Sequence, residues 1–332
     1  MRSASFLVAA LLASANAPST IELPGAGGRV GFDDLVFSRE LHRLLAPAGR
    51  TGRLDLVDPA SGAVEAVEGF SQSFRPAIGH GQGPTSADAG QGFVFATDRT
   101  SGTLVAVDPR ARRIVARIKL GAGPDYVRWV GATREVWVTE PDRESIEVFS
   151  FEPGPSPAFK QAGIIAVPGG PESLVVDAAG GRAYTNSFGD ATFAIEVASH
   201  RVAARWTNRC RGARGIALDA ARRVVFVGCD EGKAISLDVA RGVVLGETGT
   251  GDGVDSIAYD PQLSHLYVPA GGSANLTVLA VKGSGALEAL GTIPTAPGAH
   301  CVATDDRGNI YVCDPGKGRL LVFHDPYPAS SR

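Results

Sequence analysis

The sequence predicts an all-β chain folded as a seven-bladed β-propeller of four-stranded antiparallel blades, and three observations carry that prediction. First, a glycine-led run recurs seven times: GFDDLVFS (31–38), GPTSADAG (83–90), GPDYVRWV (123–130), GPESLVVD (170–177), GARGIALD (212–219), GVDSIAYD (253–260) and GAHCVATD (298–305). Second, the starts lie 52, 40, 47, 42, 41 and 45 residues apart, the period of a propeller blade, whose single sheet buries its faces only by stacking on its neighbours. Third, apolar and polar residues alternate throughout and no helical period is sustained.

Within each repeat the elements follow in order. The glycine-led run supplies the inner strand. A second strand is opened by an aromatic or large apolar residue, as in Phe95–Asp98, Trp137–Glu140, Tyr184–Ser187, Phe226–Cys229, Tyr267–Ala270 and Tyr311–Asp314, the type that suits a strand packed between blades. A turn with Gly, Asp or Ser leads to a third strand such as 102–108 or 232–238, and an outer strand follows, as at 114–120, 163–167 and 290–293. The last repeat lacks an outer strand. Residues 19–24 (STIELP) resemble the outer-strand exits of other repeats, so the N-terminal segment is expected to pair with the last blade and leave no open edge.

A chain of 332 residues forms one closed ring at this period, here residues 19–326, and 44% hydrophobic residues give it an adequate core. The 42 glycines and 21 prolines fit many tight turns. The net charge is −3 with Lys and Arg scattered; without a basic stripe, no nucleic acid is expected as a partner. Residues 1–15 read as a signal peptide: Arg2, an apolar stretch from Phe6 to Ala13, then the small-residue site Ala13-Ser14-Ala15. That stretch is too short for a membrane span. The expectation is a periplasmic or secreted monomer with no membrane insertion. In that setting the four cysteines are read as disulfides. Strand register favours Cys210–Cys229 and Cys301–Cys313, while the absence of a CxxC pair argues against a thiolate metal site.

The second-strand column resembles the YVTN signature, most nearly at Ala183-Tyr184-Thr185-Asn186. The run 170–177 is similar to the G-x-P start of the YVTN/YncE-like seven-bladed propeller repeat family. The resemblance covers about residues 19–324 and implies an extracytoplasmic protein that binds a ligand or presents a surface. It names no ligand.

Function is sought where the inner runs converge. The third residue of each run is expected at the mouth of the central channel: Asp33, Thr85, Asp125, Glu172, Arg214, Asp255 and His300. The fourth position adds Tyr126, and loops on the same face add Asp98, Glu140, Asp230 and Asp314. His80 sits in the glycine-rich insertion before the second run, where it could reach over the mouth. His42, His200, His265 and His324 fall at turns or strand ends and read as structural or solvated. Converging carboxylates admit two readings. In one, Asp33, Asp125, Tyr126, Glu172, Arg214, Asp255, His300 and His80 form a non-catalytic binding mouth for a small polar ligand, a cation or a protein partner. In the other, Asp125, Glu172 and Asp255 hold Ca²⁺ or another divalent cation for a lactonase-like hydrolysis. No nucleophile elbow, phosphate loop or HExxH motif is present, and no certain cofactor is implied.

Overall fold

Seven four-stranded antiparallel sheets are arranged around one channel in the computed structural model, which describes residues 17–73 and 81–330. Blade one comprises Val36–Ser38, Arg43–Pro47, Leu54–Val57 and Val64–Val67. Blade two comprises Pro84–Gly90, Phe93–Asp98, Thr103–Asp108 and Arg113–Lys119. Blade three is built from Val127–Val130, Glu135–Glu140, Ser145–Glu152 and Ala158–Ala166, and blade four from Val175–Asp177, Arg182–Asn186, Ala191–Glu196 and Arg201–Thr207. Blade five contains Ala213–Asp219, Val224–Cys229, Lys233–Asp238 and Val243–Gly249, and blade six Ala258–Asp260, His265–Ala270, Asn275–Val281 and Leu287–Pro294. Blade seven takes Val302–Thr304, Asn309–Asp314 and Arg319–His324 from the C-terminal end and Ser19–Glu22 from the N-terminal end.

That last pairing closes the ring: Ser19 lies opposite Val322 and Glu22 opposite Arg319 in antiparallel register. The fold class is as the sequence predicts, including the closing strand. The proposed signal peptide and His80 lie outside the described residues. Among the described residues no helix is long and apolar enough to cross a membrane.

The core consists of clusters that each join two neighbouring blades. Successive residues of a second strand serve opposite seams: Trp137 packs toward blade four, whereas Val136 and Val138 pack toward blade two. Both faces of these strands are therefore buried, and Trp137, Tyr267 and Tyr311 are almost wholly enclosed. Each such side chain contributes roughly 2–3 kcal/mol by leaving water. Five of the seven start glycines, Gly83, Gly170, Gly212, Gly253 and Gly298, hold a positive φ. Gly170 has φ +77°, and an added Cβ would lie 2.7 Å from the Pro141 carbonyl oxygen, so a side chain there would be strained and would collide with blade three.

Both disulfides pair as the register requires. Cys210–Cys229 spans a Cα–Cα distance of 5.4 Å and Cys301–Cys313 one of 5.6 Å, within the normal range. Each ties the start of an inner strand to the end of the second strand, next to the channel mouth.

Candidate functional site at the channel mouth

Just before each inner strand, the glycine-led segment crosses the mouth, and backbone bonds fix it there. The Asp125 amide donates to the Thr139 carbonyl (2.9 Å), the Glu172 amide to that of Asn186 (2.8 Å), and the Ser256 amide reaches the His300 carbonyl of the next blade (3.0 Å). The side chains at the third position then meet. Arg214 lies 2.8 Å from Glu172 and 3.7 Å from Asp255, and His300 Nε2 lies 3.8 Å from Asp255. Both ring nitrogens of His300 also face backbone carbonyls, those of Gly298 (2.5 Å) and Phe32 (2.9 Å).

Blade two departs from the column. Thr85 is fully buried, with its hydroxyl 3.1 Å from that of Thr97. Its place at the rim is taken by Arg99, from the turn after the second strand, which stands 3.6 Å from Asp33 and 3.4 Å from Asp125. In blade order the rim reads Asp33, Arg99, Asp125, Glu172, Arg214, Asp255, His300. Acid and base alternate except where Asp125 adjoins Glu172. A ring of seven must contain one such break.

Burial sets the electrostatics. It pushes Asp125 well above the usual carboxylate range, and Asp33 pushes the same way while Arg99 opposes. Glu172 is also raised, by burial first, with Arg214 pulling against it. Burial alone would lower Arg99, but Asp125 and Asp33 more than offset it and hold the guanidinium charged. The rim is thus a set of paired charges rather than a bare acidic ring.

Beside the rim opens a cavity of about 610 Å³ lined by Arg29, Arg214, Asp230, Asp255 and His300, with the start glycines Gly253 and Gly298 exposing backbone. Both signs of charge face it. Phe188, from the turn after the second strand of blade four, is half exposed, and the Arg214 guanidinium sits 4.5 Å from its ring centroid. A second cavity of about 320 Å³ is lined by residues of the inner strands, Tyr126 and Arg128 among them. Arg128 pairs with Asp34 at 2.7 Å and lies 5.1 Å from the Tyr126 ring. Burial raises the Tyr126 phenol well above its ordinary value, reinforced by Asp255, and keeps it neutral.

The remaining acids predicted on this face organise turns. Asp98 accepts from the amides of Ser71 and Ser101, Glu140 from that of Ala122, and Asp314 pairs with Arg319 at 2.9 Å. Arg99 and Phe188 were not legible in the column, because each lies in the turn just beyond the second strand. The one available signal was Thr85, an uncharged residue at a position otherwise charged.

His200 pairs with Glu135 (3.0 Å) between blades. His265 is fully buried: Nδ1 lies 2.7 Å from Asp325, Nε2 lies 3.0 Å from the Ser330 hydroxyl, and the Tyr267 hydroxyl donates to Asp325 at 2.6 Å. Serine, imidazole and carboxylate stand in relay order, but the enclosed imidazole and the Ser330 amide, bonded to the Leu263 carbonyl (2.8 Å), make this a fastening for the C-terminal tail.

No family model matches the chain, and no curated protein matches its sequence. Solved structures do. A chain of a structure described as the mitotic checkpoint complex superposes with a TM-score of 0.77 at 13% identity, covering 98% of this chain and 97% of that one. A chain of hydrazine synthase from Kuenenia stuttgartiensis gives 0.73 at 14% identity, covering 92% and 97%. The β-propeller domain of Cps50 (Swd1) from Myceliophteria thermophila gives 0.72 at 11% identity, covering 92% and 99%. At such identities the likeness is one of fold: this chain is a seven-bladed β-propeller.

Proposed function

We propose that the protein is an exported, non-catalytic binding propeller of YVTN/YncE-like type whose channel mouth takes a small polar ligand bearing both a cationic and an anionic group. The observation that carries this reading is the cavity at the rim, where Arg29, Arg214 and His300 face Asp230 and Asp255. Such a wall rewards a zwitterion twice, once at each sign of charge. The paired cysteines and the N-terminal small-residue site support export.

The metal-dependent hydrolase is the weaker reading. Arg99 and Arg214 already bring positive charge to Asp125, Glu172 and Asp255, and a divalent ion would have to displace both. A thermal-shift screen of free amino acids, short peptides, neutral sugars, lactones and Ca²⁺ tests the proposal. A ligand at about 100 times its Kd stabilises by roughly 2.7 kcal/mol. Zwitterions should shift the wild type and fail to shift Arg214→Gln and Asp255→Asn. A shift by Ca²⁺ together with lactone opening would replace this reading with the hydrolase.

A further inference from the structure

The strand Leu54–Val57 carries a carboxylate that the channel mouth does not explain. Asp55 is fully buried, and among the described residues neither carboxylate oxygen has a hydrogen-bond partner. Strand alternation places it on the same face as Val57, which belongs to the cluster joining blade one to blade seven and to the N-terminal closing segment. That seam is apolar: Leu23, Ala26, Ala46, Tyr311 and Leu320 line it beside the Cys301–Cys313 disulfide. Few charged or titratable groups face Asp55. Arg53, just before its strand, turns its guanidinium to Glu68 (3.1 Å) and leaves its buried Nε without a partner among the described residues. Blade seven offers the Tyr311 phenol, which donates to Asp305 at 3.0 Å. The closing segment and the flanking strands contribute Ile21, Leu23, Ala26, Ala46 and Val64, none of which titrates.

We infer that Asp55 is a buried proton-binding site that couples closure of the ring to pH. An ionised carboxylate in an apolar seam without a donor is strongly disfavoured, whereas the neutral acid is tolerated. The closed ring therefore takes up a proton where the open one does not. Burial pushes Asp55 from 3.8 up to about 7, with Arg53 pulling the other way. A raised acid stabilises the closed state fully below its ordinary value. That contribution is lost as pH rises toward 7, by about tenfold in the opening equilibrium per pH unit over that window, and then levels off.

Hydrogen exchange resolved by mass spectrometry on the full chain tests this, with rates corrected for intrinsic pH dependence. Opening of residues 19–30 and 319–324 should grow about tenfold per pH unit between pH 5 and 6 in the wild type. Asp55→Asn should be flat over that range, while Glu152→Gln, at an exposed carboxylate of blade three, should keep the slope. An equal slope in Asp55→Asn overturns the inference. Should that variant fail to fold, the wild-type Asp55 carboxyl followed by carbon NMR decides: a midpoint near 7 supports the coupling, and one near 4 overturns it.

Discussion

Two regions of this propeller enclose carboxylates and treat them in opposite ways. At the mouth, Asp33, Asp125, Glu172 and Asp255 stand within 2.8 to 3.7 Å of Arg99 or Arg214, in a polar basin open to ligand. In the seam between blades one and seven, Asp55 has no donor among the described residues. Pairing keeps a charge usable, so the mouth can spend it on a partner. Isolation makes the charge a liability, so the seam responds to protons. Position in the blade, not residue type, decides which behaviour results.

Removing residues 19–24 has the largest expected effect. Four register pairs and the burial of Ile21 and Leu23 disappear, a loss on the order of 6 kcal/mol. The expected outcome is loss of the monomer peak in size-exclusion chromatography. His265→Ala strips one of the partners from buried Asp325, leaving the bonds from Tyr267 and Tyr327, and should destabilise by about 3 kcal/mol in urea unfolding. Asp325 itself is held below its ordinary value: burial opposes this, but bonds from His265 and Tyr267 outweigh it. Its contribution is therefore present above pH 3.8 and lost as pH falls below that, opposite in sign to Asp55. Replacing Cys210 and Cys229, or Cys301 and Cys313, by Ala should lower stability by about 3 kcal/mol per pair. Arg214→Gln should change stability by about 1 kcal/mol or less while weakening ligand more than tenfold. Phe188→Ala, at a half-exposed ring, should leave melting within about 0.5 kcal/mol and weaken ligand severalfold, since it removes the face on which Arg214 rests.

The architecture was legible because a repeat announces itself. Start glycines recur every 40 to 52 residues, at Gly170 forced by a positive φ and a close backbone approach, and the register that follows also gave the closing strand and both disulfides. The rim was legible in part. Backbone position is written in the column, so Asp33, Asp125, Glu172, Arg214, Asp255 and His300 could be named. Arg99 could not, since a long side chain reaches the rim from a turn outside the column. Asp55 was hidden for another reason. In Leu54-Asp55-Leu56 the alternation reads as one buried and one wet face, yet a propeller strand is sandwiched between two blades and both faces are enclosed. His265, read as structural or solvated, proves structural because the chain beyond the last blade returns to cover it.

The claim on which the functional account rests is that the mouth recognises two opposite charges in one small molecule. Calorimetric titration of the wild-type protein with a zwitterionic dipeptide, its N-acetyl form and its methyl ester measures this directly. The account predicts that each blocked form binds at least tenfold more weakly than the parent. Equal affinity for all three would contradict it.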